Sequence, residues 1–272
     1  MRTGEKRYVI LALPRRKKKH SAPYTLQFPL QALRVPVPAL LCPKHGKDQP
    51  IPLFPRVLHV LSDNCYIADC HFYHKNLLTE MDNRDFESVE QMNEVMIEKW
   101  NKKVHARDKV VILGDLSLGN GKETNEILCR LKGRLYLIRG NHDERYLRDK
   151  EFDISRFEWV KDYAEIHDNK RKIVLMHYPV FCYNGQFRRG ADGTPMTYML
   201  HGHIHKTEDQ VLVDRFCTET RATMRKSAHQ ETAQPVPCQM INCFCMYSDY
   251  TPLTLEEWVE CDQRRRNKAD CG

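Results

Sequence analysis

Five short apolar runs between residues 65 and 201 are each followed at once by Asp, Asn or His, and this recurrence limits the fold more than any other feature. The polar ends read Asp69-Cys70-His71, Gly114-Asp115, Gly140-Asn141-His142-Asp143, His177 and His201-Gly202-His203-Ile204-His205. Ligands of α/β sheets bind beyond the carboxyl ends of the strands. The pattern therefore predicts that five strands bring these side chains to one edge.

Strand-like runs alternate with helical periodicity from residue 64 onward. Ser88 with Gln91 has the spacing of a capping box, and apolar residues recur at helical spacing behind it up to Trp100. Strands are predicted at 65–68, 109–113, 135–139, 172–176, 197–200 and 240–247, and helices at 89–103, 123–131 and 253–259. This alternation indicates an α/β fold.

Amino-acid composition and periodicity divide the chain into an N-terminal extension and one domain. Residues 1–60 contain nine prolines and no clean periodicity, which predicts an irregular, basic N-terminal extension. The domain is predicted at 61–260. Within it, 206–238 forms a polar insertion that is either an extended hairpin or a loop, and 261–272 is expected to be a C-terminal tail.

The net charge of +7 lies in the first 20 residues, which hold eight Lys or Arg and one acid, whereas the rest carries 35 basic and 35 acidic residues. The balance argues mildly against a nucleic-acid groove, so nucleic acid is expected only as substrate or at the basic tail. No apolar run approaches the roughly 20 residues that cross a bilayer, and no signal peptide is evident. We therefore expect a cytoplasmic protein without a membrane partner. The 11 cysteines are expected to be mostly buried free thiols.

The residue types at the strand ends suit metal ions. Imidazole nitrogen and carboxylate oxygen bind Zn, Fe, Mn, Co or Ni, and the lack of a thiolate cluster argues against a closed structural zinc. On an extended chain Asp69 and His71 would share a face, and so would His203 and His205. Glycines at 114, 140 and 202 fit tight strand exits where a side chain would crowd the ions. A carboxylate between two such sets could bridge a pair of ions.

The order Asp-x-His, Gly-Asp, Gly-Asn-His-Asp, His, Gly-His-x-His resembles the calcineurin-like metallophosphoesterase superfamily over about residues 65–259. Residues 69–76 together with Gly-Asn-His-Asp-Glu resemble its compact bacterial and phage branch. The resemblance implies an α/β fold with two facing β-sheets flanked by helices, a four-layer sandwich. It also implies two divalent ions, one held by Asp69, His71 and His205, the other by Asn141, His177 and His203, with Asp115 bridging both.

The activity implied is metal-dependent hydrolysis of a phosphoester. A metal-bridged hydroxide would attack phosphorus, Asp115 and Asn141 would serve the catalytic centre, and His142 would act as the general acid. Substrate contacts are expected from five residues: Asn141, His142, His74, Asn184 and Arg188. For Arg188 and its neighbour Arg189 the alternative is a solvated loop charge. Asp143 is either a partner of a ligand histidine or a solvated turn residue.

The sequence does not distinguish a monoester from a diester substrate, and it does not identify the metal or the oligomeric state. A nuclease or cyclic-nucleotide phosphodiesterase is an alternative, because the same metal apparatus serves these reactions. A non-catalytic metal-bearing scaffold is a further alternative, although none of the motif residues is missing.

Overall fold

The computed structural model describes residues 64–226 and 232–269, with only the backbone given for 268 and 269. The predicted extension at 1–60 lies outside the described residues and stays a prediction. The strands in chain order are β1 Asn64–Ile67, β2 Lys109–Ile112, β3 Arg134–Ile138, β4 Phe157–Lys161, β5 Tyr163–Asp168, β6 Arg171–Met176, β7 Thr197–His201, β8 Met224–Arg225, β9 Gln234–Pro235, β10 Met240–Asn242 and β11 Leu253–Thr254. The helices are α1 Val89–Lys103, α2 Gly121–Arg130, α3 Glu144–Leu147, α4 Glu208–Ala222 and α5 Leu255–Ala269.

Two larger sheets form the centre of the domain. The first has the order β11-β1-β2-β3-β4, in which β1 to β4 are parallel and β11 runs antiparallel to β1. The second has the order β10-β7-β6-β5, in which only β5 is antiparallel to its neighbour. Parallel strands end on the same edge of their sheet, so the loops after β1, β2 and β3 lie together, as do those after β6 and β7.

Alternating side chains pack the two sheets into layers. In β2, Val111 faces a cluster that also contains Leu175 and Leu200 of the second sheet, whereas Val110 faces a cluster with Trp100 of α1 and with residues of α2. On the outer side of the second sheet, Val174 and Met199 pack with Val213 and Cys217 of α4. Because successive residues of a strand point to opposite faces, each sheet is buried on both sides. The expected α/β fold of two facing sheets flanked by helices is therefore confirmed.

The helix starts follow local hydrogen bonding. The Ser88 side chain accepts a hydrogen bond from the Gln91 amide, as predicted for α1, but the Gln91 side chain accepts from the Glu87 amide instead of returning the bond to Ser88. A complete capping box occurs at α2 between Asn120 and Glu123. This box starts α2 at Gly121, two residues before its predicted start.

Several predicted boundaries differ from the structure. The polar insertion contains α4, and only its second part, β8 with β9, matches the hairpin alternative. The strand predicted to reach 247 ends at Asn242, and the helix predicted to end at 259 continues to Ala269. Strands β4 and β5, which are edge strands that contain charged residues, were not predicted. None of the described helices is long and apolar enough to span a bilayer.

Candidate metal centre

Six of the predicted metal-binding residues form two adjacent groups at the carboxyl ends of the central strands. The first ligand group consists of Asp69, His71 and His205, and the second ligand group consists of Asp115, His177 and His203. Within each group the potential ligand atoms all lie within 4.8 Å of one another. The five strand ends thus meet at one place, as the sequence pattern predicts.

Asp115 stands between the two groups. Its Oδ2 lies 3.6 Å from His71 Nε2 of the first group and 3.5 Å from His177 Nε2 of its own group. The seventh predicted residue, Asn141, belongs beside the second group, since its Oδ1 lies 2.9 Å from His203 Nδ1 and 3.1 Å from His177 Nε2. The structure therefore brings together all seven residues that the sequence nominates as ligands.

The backbone at this site is left-handed at five of the seven residues. The φ angles are positive at Asp69 (55°), His71 (52°), Asp115 (53°), His203 (72°) and His205 (45°). Asp69 and His71 lie in one ligand group, but not on the extended chain that was predicted, and the prediction that His203 and His205 share a face is wrong. His203 and His205 instead serve different ligand groups. A residue with a Cβ pays roughly 1 kcal/mol or more for this conformation, so the surrounding structure must hold it.

Glycines make room for the ligand side chains themselves. A Cβ on Gly114 would lie 2.3 Å from His177 Nδ1, and one on Gly140 would lie 2.2 Å from Asp115 Oδ1. A Cβ on Gly202 would lie 2.6 Å from an oxygen of Asp69. The glycines were predicted to leave space for ions, and the structure shows that they leave space for the groups that would bind them.

Side chains from an irregular segment support the first ligand group. His205 Nδ1 lies 2.7 Å from Asp82 Oδ1 and donates to it, which leaves Nε2 free to face His71 Nε2 at 3.1 Å. The other Asp82 oxygen accepts hydrogen bonds from Arg84, which is buried and also donates to the carbonyl of Asp69. The sequence reasoning missed Asp82 and Arg84, because neither follows a strand nor belongs to a periodic pattern.

Hydrogen bonds with the main chain support the second ligand group. His177 donates from Nδ1 to the Leu113 carbonyl at 2.8 Å, so its Nε2 points to Asp115. Asp143 is fully buried and accepts hydrogen bonds from four donors: the amides of Asp115, Leu116 and Gly140, and the Tyr146 hydroxyl. Asp143 is therefore neither a partner of a ligand histidine nor a solvated turn residue. It holds the backbone on which Asp115 sits.

Burial and neighbouring charges shift the pKa values of individual residues in the two ligand groups, some upward and some downward. Burial raises the pKa of Asp69 to about 6, although nearby His205 and His177 oppose the rise. Burial disfavours protonation of His177, yet its hydrogen bond to Asp115 and the charge of Asp69 raise its pKa to about 9. Burial lowers the pKa of His71 well below its usual value. Densely packed acids and imidazoles of this kind are stabilised together by a cation.

His142 and His74 line the open side of the centre. His142 is 44% exposed, and its Nε2 lies 4.0 Å from Asp115 Oδ2. His74 Nδ1 lies 3.3 Å from His71 Nδ1, and the rings of His74 and His142 are 6.2 Å apart. The ring of Tyr178, which the sequence reasoning did not nominate, lies 4.5 Å from that of His203.

Of the other predicted substrate contacts, the Asn184 side chain has a different partner and the Arg188 side chain is exposed. The Asn184 amide donates to the Glu165 carboxylate at 2.9 Å. Arg188 is exposed, and its backbone amide closes a turn with Gly185. The neighbouring Arg189 guanidinium donates to the carbonyls of Gly193 and Pro235. As substrate contacts, Asn184 and Arg188 stay predictions.

The donor set fits divalent metal ions. His205 and His177 each direct Nδ1–H to an oxygen acceptor, which is the usual way that a protein fixes a metal-binding histidine. The 3.1 Å between His71 Nε2 and His205 Nε2 matches two nitrogens around one ion with bonds of about 2.0–2.1 Å. Oxygen and imidazole nitrogen without sulfur suit first-row divalent ions.

Comparisons with known proteins give consistent findings. Residues 65–217 match the model of the calcineurin-like phosphoesterase superfamily domain. The chain is 35% identical to the uncharacterised protein MJ1445 of Methanocaldococcus jannaschii over 141 residues, which are 51% of this chain and 67% of that protein. It is 29% identical to the gene 66 protein of Mycobacterium phage L5 over 170 residues, 53% of this chain and 78% of that protein. A protein of unknown function from Aquifex aeolicus, AQ665, shares the fold with a TM-score of 0.50 and 22% identity, over 74% of this chain and 99% of its own.

Proposed function

The chain belongs to the calcineurin-like phosphoesterase superfamily, and on that premise we propose that it hydrolyses a phosphoester with two bound divalent ions. The observation that carries the proposal is the meeting of two ligand groups at Asp115. Asp69, His71 and His205 would hold one ion, and Asn141, His177 and His203 the other, with Asp115 bridging. When bound, the ions would supply Lewis acidity and lower the pKa of a coordinated water.

His142 is proposed as the general acid. Its backbone amide donates to Asp115 Oδ1 at 2.9 Å, which fixes the start of the side chain beside the bridge. The imidazole remains 44% exposed on the open side, where a leaving alkoxide could reach it. A protonated imidazole in that position can give such an alkoxide its proton. A non-catalytic scaffold would have no use for an acid in this place.

The substrate is proposed to meet Asn141, His142 and His74 at the open side. His74 accepts or donates at Nδ1 toward His71, so its Nε2 remains for a phosphoryl oxygen. Asn184 and Arg188 are proposed as outer contacts, Arg188 because its guanidinium offers a bidentate fork to phosphate. Monoester, diester and nucleotide substrates share this apparatus, and an assay must separate them.

The test is an assay of an aryl phosphate and a bis-aryl phosphate with Mn²⁺, Fe²⁺, Zn²⁺, Ni²⁺ and Co²⁺, each with and without EDTA. We expect hydrolysis that EDTA abolishes. His142→Ala should slow turnover roughly 100- to 10,000-fold, because general acid catalysis contributes on that scale. Metal analysis should find both ions retained in this variant, and Asp115→Asn should lose metal.

His105→Ala is the matched control, because the His105 side chain is 75% exposed, lies beside Asp108 and belongs to neither ligand group. Its rate should equal that of the wild type. If no ester is cleaved although two ions bind, the protein holds metal without acting as a phosphoesterase of these substrates. If His142→Ala loses an ion, its proposed role is wrong.

A further inference from the structure

The segment between residues 79 and 88 is irregular, yet it buries an ion pair. The side chain of Arg84 is 0% exposed and that of Asp82 is 3% exposed, with 2.9 Å between Nη2 and Oδ2. Removing two charges from water is costly unless every donor and acceptor is satisfied. A pair buried so deeply in a loop calls for a reason, and its remaining contacts supply one.

Arg84 donates hydrogen bonds to the loop that carries the ligands Asp69 and His71. Its Nη1 donates to the Cys70 carbonyl at 2.7 Å and its Nη2 to the Asp69 carbonyl at 3.0 Å. The guanidinium also lies against the rings of Phe244 and Tyr250, 5.9 Å and 5.8 Å from their centres. The flat, forked donor set of arginine suits such simultaneous contacts, whereas a lysine ammonium cannot make them all.

Asp82 links Arg84 to His205, the third ligand of the first group. One carboxylate oxygen receives Arg84, and the other receives His205 Nδ1–H at 2.7 Å. The proton of His205 is thereby kept on Nδ1, and the lone pair of Nε2 faces His71 Nε2. Asp69 and His205 are far apart in sequence, and the Arg84–Asp82 pair joins them.

We infer that Asp82 and Arg84 are positioning residues that set the affinity of the first ligand group for its ion. The inference rests on the proposed function, because it concerns the ion that the first group would hold. The second group has no share in this pair, since His177 is oriented by the Leu113 carbonyl. Loss of the pair should therefore weaken one ion and spare the other.

The experiment titrates Mn²⁺ into metal-free full-length protein and follows free Mn²⁺ by electron paramagnetic resonance. Wild type should bind two ions. Asp82→Asn should lower the affinity for one ion roughly 10- to 100-fold, which is the usual effect of losing a carboxylate behind a ligand histidine, and leave the other unchanged. Arg84→Lys keeps the positive charge and should show the same one-sided loss.

Asp85→Asn is the matched control, because it removes the same charge from an exposed position in the same segment. It should bind both ions as the wild type does. In the metal-free protein, nitrogen-15 spectra of the imidazoles should show the His205 proton on Nδ1 in wild type and a mixture of tautomers in Asp82→Ala, which general destabilisation would not produce.

The outcomes separate the two proposals. If Asp82→Asn and Arg84→Lys, still folded by circular dichroism, bind both ions as tightly as wild type, the positioning role is wrong and the proposed function stands. An equal loss of both ions also overturns it, because the effect would then be general. If wild type itself binds no divalent ion, the proposed function fails first.

Discussion

The two ligand groups lie side by side but are supported in different ways. The second group is held by hydrogen bonds with the main chain: the Leu113 carbonyl orients His177, and the buried Asp143 carboxylate accepts the backbone amides around Asp115. The first group is held by the side chains of Asp82 and Arg84. The Asp143 carboxylate satisfies three buried backbone amides, so its loss should destabilise the fold. Asp82 orients the side chain of one ligand, His205, so its loss should leave the fold intact. Damage to the second group should therefore appear as instability, and damage to the first as weaker metal binding.

The largest effect that tests this comparison is expected from Asp143→Asn. The amide NH₂ would face backbone N–H donors that now point at a carboxylate oxygen. Each unsatisfied buried donor costs about 1–3 kcal/mol, so we expect a loss of about 3 kcal/mol in the free energy of unfolding. Urea denaturation of the metal-free protein measures it.

Tyr146→Phe is the control for Asp143→Asn, because it removes only the hydroxyl donor to the same carboxylate. It should cost about 1 kcal/mol. If the Asn variant unfolds at the same urea concentration as the Phe variant, the backbone amides do not depend on Asp143. The claim that the support of the second ligand group stabilises the fold is then wrong.

A smaller effect is expected from two glycine substitutions, one beside each ligand group. In Gly140→Ala the new Cβ would lie 2.2 Å from Asp115 Oδ1 and 2.5 Å from the Asp115 backbone nitrogen. In Gly202→Ala it would meet an oxygen of Asp69 and the Cβ of Ala68, each at 2.6 Å. Overpacking of this kind costs on the order of 2 kcal/mol, and Gly140→Ala should cost more than Gly202→Ala because its Cβ also meets a backbone atom.

Melting temperatures and Mn²⁺ stoichiometry distinguish the two alanine variants. Gly140→Ala should melt lower and lose the ion of the second group, and Gly202→Ala should lose that of the first. Equal metal loss in the two site variants would show that the halves are not independent.

The smallest effect is expected from Phe244→Leu. The Phe244 ring stacks on His205 with 4.6 Å between centres and also lies under Arg84. Such ring contacts contribute about 0.5–1.5 kcal/mol beyond burial, so the affinity for the first ion should fall by less than about tenfold. The Mn²⁺ titration measures it. An affinity loss confined to the second ion would contradict the assignment of Phe244 to the first half.

The same difference explains how much could be predicted from sequence. Asp115, Asn141 and His177 follow buried parallel strands, and strand ends fix where such residues go, so their convergence was predictable. Asp82 and Arg84 were missed because their position depends on tertiary contacts of an irregular segment. Helix α4 was missed because Gln210, Val213 and Cys217 form a narrow buried stripe, whereas apolar Val211 and Leu212 are exposed. The ligand spacing was right, but the extended backbone assumed for it was not.

The left-handed backbone at Asp69, His71, Asp115, His203 and His205 has a consequence for protein engineering. A short peptide with the amino-acid sequence of one ligand loop would adopt ordinary right-handed or extended conformations. Its side chains would then lack the orientation that they have in the fold. Grafting this centre onto another scaffold would require importing the hydrogen-bonded frame that enforces those angles, and not only the seven side chains. Searches for similar centres in designed proteins should accordingly match torsion angles before they match residue types.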